Sequence, residues 1–187
     1  MAQEAILRDV RISFPVLFKP EEYKGDGRPN YSAKFFVEPG SAADKAIKEA
    51  IQKVAQDKWP EDWKDMIEEF RMDKKAFCYI DGKRVKYAGA AGHWVLTAKR
   101  RASDGRPKVV DKNPKIELTA NDGKPYSGSY VNVKVEFWAQ DDDAKGIRCT
   151  LATVQYVRDG ESFGGARPAD TDGFDDLSDS GDADDLI

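Results

Sequence analysis

The stretch from Tyr130 to Trp138 constrains the fold most, because apolar and polar residues alternate through it without a break. Val131, Val133, Val135 and Phe137 fall on one side of an extended chain, and Tyr130, Asn132, Lys134, Glu136 and Trp138 on the other. A period of two marks a strand with one face in a core and one turned outward. Ile147 to Val157 supplies the partner strand, reached through the loop from Gln140 to Gly146. The core is therefore built around antiparallel pairing.

Several shorter segments fit the same plan. Ala5 to Ser13 reads as a strand that Phe14-Pro15 ends, since proline cannot donate to a ladder. A turn-rich stretch from Pro20 to Pro29 leads to a second strand, Asn30 to Val37, closed by Pro39-Gly40. Ala76–Ile80 and Lys83–Tyr87 flank Asp81-Gly82, the signal of a tight type I′ hairpin. His93–Arg101 and Pro107–Val110 flank a second turn at Ser103-Asp104-Gly105. One interval differs. From Ser41, with Asp44 three residues on, Ile47, Ile51, Val54 and Ala55 recur at helical spacing, and Trp59-Pro60-Glu61-Asp62 opens a second helix carrying Trp63, Ile67 and Phe70. Short strands at this spacing predict a mainly β barrel or sandwich with a helical insertion at about 41–72.

The 187 residues, 40% of them hydrophobic and 11% aromatic, suit one folded body. The first residues lack the basic flank and apolar run of a secretion signal, and no stretch approaches the roughly 20 apolar residues of a membrane span. Cys78 and Cys149 are isolated from one another, with His93 the single histidine, which fits buried free thiols better than a zinc site. A cytoplasmic setting is expected. The net charge of −4 conceals an asymmetry: from Ala169 onward there are eight aspartates and no lysine or arginine. Without those eight, 26 acids face 30 bases, so residues 1–168 carry about +4. A basic body (1–168) with an acidic tail (169–187) points to a polyanionic ligand.

Tyr130, Lys134 and Trp138 share the outward face of their strand, a cation between two flat rings, which suits the stacking of unpaired bases. The competing reading places Trp138 under one of the helices. Lys99, Arg100 and Arg101, then Arg106, Lys108, Lys112 and Lys115, surround the second turn. Lys83, Arg84 and Lys86 lie near the first, with Tyr79, Tyr87 and Trp94 close in sequence. Lys34 and Phe36 share one face of the earlier strand. Cations interleaved with aromatics over successive strands predict a nucleic-acid groove, against the simpler reading of a solvated basic hairpin. A metal-dependent nuclease or resolvase would need converging carboxylates, and Asp141-Asp142-Asp143 is the single tight acidic group of the body, in a loop. No P-loop or HExxH motif occurs. A module that binds a replication partner through its barrel is the other alternative.

The chain resembles phage-encoded single-stranded DNA-binding proteins with one OB fold and an acidic tail, over nearly its whole length and most strongly from Tyr126 onward. The matching stretches are Tyr126–Val131, Gly146–Leu151, Ala152–Gln155, Phe163-Gly164-Gly165 and Gly173–Asp176. The resemblance implies a five-stranded, partly open OB barrel that coats single strands with little sequence preference during phage replication or recombination, in the host cytoplasm and without a cofactor. The tail itself, rich in Asp, Gly and Ser with few apolar residues, is expected to stay disordered, to regulate binding by competing with DNA, and to recruit phage or host replication proteins, through Phe174, Asp175, Asp176, Asp182, Asp184, Asp185 and the terminal Leu186-Ile187. Related tails often finish on an aromatic residue, and this one does not.

Overall fold

The computed structural model describes residues 1–164. Seven strands form one sheet: β1 (Gln3–Glu21), β2 (Asn30–Val37), β3 (Tyr79–Asp81), β4 (Trp94–Arg101), β5 (Lys108–Val110), β6 (Tyr130–Gln140) and β7 (Gly146–Arg158). Two helices, α1 (Ala42–Lys58) and α2 (Trp63–Met72), lie between β2 and β3. The sheet order is β3-β4-β2-β1-β6-β7-β5, and a further β4–β7 contact bends it into a barrel of β1, β2, β4, β7 and β6. That is the OB arrangement, in which the last strand runs parallel to the third. Closure is slight. β4 and β7 meet through the single pair Lys99–Thr150, with β3 filling the edge of β4 on one side and β5 that of β7 on the other.

The alternation in β6 packs as its sequence dictates: Val131, Val133, Val135 and Phe137 are buried, while their neighbours are half-exposed. Phe35 of β2, Leu96 and Ala98 of β4, Leu151 and Val154 of β7, and Leu7 and Ile12 of β1 complete the interior. One end of the barrel is covered by α1, whose Ile47, Ala50, Ile51 and Val54 are buried. Ser41 caps α1 by accepting the Asp44 N–H. The Asp44 carboxylate reaches past the cap to the Gly40 N–H and takes the Tyr79 hydroxyl at 2.6 Å, tying helix to sheet. Burial by itself raises the Asp44 pKa, but the hydrogen bonds from Tyr79, Gly40 and Lys48 outweigh it and hold the carboxyl below its usual range.

Three expectations are corrected. Pro15 does not end the first strand, because β1 runs on to Glu21 through a bulge: Phe14 and Pro15 together oppose one residue of β2. A bulge needs no ladder donor at that position, so proline is accommodated, and Phe14 takes a positive φ of 49° to make the bend. Asp81-Gly82 makes no hairpin. β3 ends there and pairs with β4, and Gly82 to Arg84 form a 3-10 turn instead of a strand. A Cβ on Gly82 would stand 2.0 Å from the Ala90 carbonyl oxygen, so this glycine serves a close backbone approach. β4 and β5 likewise do not pair across Ser103-Asp104-Gly105; β5 runs parallel to β7. Both cysteines are buried free thiols, and burial pushes the Cys78 pKa up to about 12.

Candidate nucleic-acid interface

β2 and β4 pair over eight consecutive residues, which sets their outward side chains in a ladder. Asn30 faces Arg101, Ser32 faces Lys99, Lys34 faces Thr97 and Phe36 faces Val95. On the other side of β2, β1 places Arg11 opposite Phe36 and Ser13 opposite Lys34. Lys34 donates to the Thr97 hydroxyl at 3.0 Å, and its ammonium lies 5.2 Å from the Tyr87 ring centroid. Burial, and then the nearby Lys99 charge, lowers the Lys34 pKa. Tyr87 in turn meets Phe14 edge to face at 5.0 Å, and Phe14 remains 52% exposed.

The face continues across β1 to the start of β6. Arg11 lies 5.2 Å from the Tyr130 ring centroid and 4.0 Å from that of Phe163, and Arg158 of β7 lies 3.8 Å from that of Tyr130. The result is a band of guanidinium and ammonium groups interleaved with aromatic rings, running over β4, β2 and β1 to Tyr130. At its border the loop between β1 and β2 carries Tyr23, 70% exposed, with Lys24 5.3 Å from its ring.

This band gathers Lys34, Phe36, Tyr87, Lys99, Arg101 and Tyr130 from the sequence-predicted set. The others sit elsewhere. Trp94 has the inward parity of β4 and stacks on Tyr79 near α1 and α2, where it helps line a cavity of about 390 Å³ with Trp63 and Ile67. Arg100, also of inward parity, donates to the Asp104 and Gly105 carbonyls and so ties down its own turn. Arg84 donates to the Arg71 and Met72 carbonyls at the end of α2, with Lys83 and Lys86 exposed nearby. Arg106 pairs with Glu117, and Lys108 opens β5 beside Thr153. Lys134 and Trp138 share Tyr130's face but lie further along β6. Lys134 pairs with Glu4, and Trp138 donates to the Thr150 hydroxyl at 3.1 Å. Trp138 is half-buried against β7 and is not among the hydrophobic side chains packed on the core.

Arg11, Phe14, Arg158 and Phe163 join the band, although none of them is read as a binding residue from the sequence. Arg11 lies inside the strand expected from Ala5 to Ser13, but the irregularity between Leu7 and Val10 shifts the alternation there, so simple parity does not single it out. Asp141 is held by Lys58 and Lys145, and Asp142 accepts from Gln140 and the Ala144 N–H, so these acids close their own loop. Among the described residues no three His, Cys, Asp or Glu side chains group as a metal site would need, and no helix is long and apolar enough to cross a membrane. The tail residues Phe174 to Ile187 lie outside the described residues.

Comparison with known proteins agrees with this architecture. The protein p50 of Acyrthosiphon pisum secondary endosymbiont phage 1, described as putative, is 40% identical over 175 residues, 92% of each chain. The single-stranded DNA-binding protein of bacteriophage Enc34, solved in complex with single-stranded DNA, superimposes with a TM-score of 0.69 at 25% identity, over 86% of this chain and 89% of that one. The single-stranded DNA-binding protein gp2.5 of bacteriophage T7 shares the fold, with a TM-score of 0.56 at 14% identity over 94% of this chain and all of its own. The family model described as the single-stranded DNA-binding protein of Enterobacter phage Enc34 matches residues 3–187, and the chain belongs to that family.

Proposed function

We propose that this protein binds single-stranded DNA with little sequence preference, laying the strand along the band from Arg101 and Lys99 across Lys34 to Arg11 and Tyr130. The observation that carries the reading is the β2–β4 ladder, where outward cations recur beside aromatic rings on the barrel face that OB folds use for oligonucleotides. Cations track the phosphates, and rings accept any base because every base has a flat face. The Enc34 relative, solved with single-stranded DNA, supports the same assignment. Its work is stoichiometric: coating exposed strands in phage replication or recombination inside the host cell and presenting them to polymerase, helicase or recombinase.

The acidic tail belongs to the same reading. Its eight aspartates resemble a run of phosphates, so it competes for the band while tethered near it at an effective concentration that reaches about millimolar for short linkers. DNA, which adds stacking to charge, displaces it. The released Phe174, Leu177 and Leu186-Ile187 are then offered to a replication protein.

A salt titration of affinity for poly-dT and for duplex DNA tests the proposal. Neutralising Z phosphates gives a log–log slope of roughly −0.7Z on a single strand, so affinity should fall steeply from low to physiological salt and favour poly-dT. Affinity indifferent to salt, or no binding at low salt, would leave the protein-interaction reading; cleavage of the DNA with magnesium would favour the nuclease.

A further inference from the structure

Phe36 stands at an outward position of β2, yet only 3% of it is exposed. Its ring packs against Phe163, from the short segment that follows β7. The two ring centroids are 5.0 Å apart at 41°, and the Arg11 guanidinium lies 4.0 Å from the Phe163 centroid. Phe163 thus occupies a slot between Arg11 and Phe36. The Gly89 backbone packs directly on the ring, since a Cβ there would come within 2.2 Å of Phe163.

The segment that holds Phe163 in place belongs to no strand or helix. It is tied to other parts of the chain: the Phe163 N–H donates to the Ser127 carbonyl at 3.1 Å, Arg11 donates to the Glu161 carbonyl, and Tyr126 exchanges hydrogen bonds with Gly160. Segments outside the sheet ladders open at lower free energy than core strands do. Meanwhile a flat ring under a guanidinium and against a second ring is the environment in which OB folds hold an unpaired base. The slot also lies beside the Lys34–Lys99 row, where a backbone would run.

We propose that the slot between Arg11 and Phe36 is a nucleobase-stacking subsite, and that Phe163 is its removable occupant, expelled when single-stranded DNA binds. The inference rests on the DNA-binding reading above and adds a second competitor to the acidic tail. The two differ in kind. The tail competes by charge, so salt weakens it along with the phosphates, whereas an uncharged ring competes through contact area and is indifferent to salt.

The test uses the full chain and poly-dT. Phe163→Ala should tighten binding by about tenfold, the factor that ~1.4 kcal/mol of relieved competition gives, and the gain should persist unchanged as salt rises. Phe163→Leu, which keeps apolar volume but loses the flat ring, should show a smaller gain of the same kind. In the unsubstituted chain, an oligonucleotide carrying 5-iododeoxyuridine should photocrosslink to Phe36. Unchanged or weaker binding by a folded Phe163→Ala chain would overturn the subsite, as would crosslinks that fall on Phe163 or on neither ring. A wild-type chain that bound no poly-dT would instead remove the single-strand reading, and the subsite with it.

Discussion

At the scale of single residues, Lys34 and Asp44 are the two ionisable groups whose surroundings matter most. Burial, then the charge of Lys99, makes the Lys34 ammonium easier to deprotonate than a free lysine. A DNA phosphate beside it would favour the charged form again, so binding and protonation are linked, and affinity should fall as pH rises through the free protein's Lys34 pKa. Lys34→Arg, which stays charged, should flatten that alkaline decline when poly-dT affinity is measured across the same pH range. Asp44 works in the opposite sense. Its folded pKa is depressed, so it stabilises the protein above its unfolded value and that stability is lost as pH falls through the lower folded value. Tyr79→Phe removes the phenol donor and should cost about 1–3 kcal/mol in a denaturant titration at neutral pH. The difference from wild type should narrow in acid, once Asp44 protonates in both chains.

At the scale of elements, β6 carries two aromatic side chains on one outward face that are set in different company. Tyr130 lies beside Arg11 and Arg158 in the band, while Trp138 is eight residues along, bonded to Thr150. Tyr130→Ala should therefore weaken poly-dT binding by about 1–3 kcal/mol, the worth of one stacked base, with a smaller loss for Trp138→Ala. Fluorescence quenching by DNA, compared between wild type and Trp138→Ala, reports whether Trp138 contributes. The elements themselves were legible to different degrees. β2, β6, β7 and both helices follow from periodicity, because each buries one regular face. The hairpins expected at Asp81-Gly82 and Ser103-Asp104-Gly105 were not there to be found. Local turn chemistry favoured them, but β3 and β5 gain more by completing the edges of β4 and β7. Lys34, Lys99 and Arg101 could be read from strand parity. The approach of Phe163 to Phe36 could not, since 127 residues separate them and no local pattern encodes the meeting.

At the scale of the whole molecule, a basic body is joined to an acidic end through Phe163, so the two proposed competitors follow each other along the chain. Truncation after Pro168 should tighten poly-dT binding at low salt, with a gain that shrinks as salt screens both tail and DNA. Equal affinities at low salt, with tail resonances unmoved by DNA, would reject the tail as competitor.

β1 pairs with β2 through its second half and with β6 through its first, so Gln3 must find Phe137 before the wall is whole. On a ribosome making roughly 5–20 residues per second, the first half of β1 waits on the order of ten seconds for its neighbour. Throughout that wait it presents an unpaired edge, which in a crowded cell invites pairing with another nascent chain. Glu4, Arg8 and Asp9 stand on that edge, and charges so placed discourage such pairing. The newborn protein thus carries its own protection until β6 emerges.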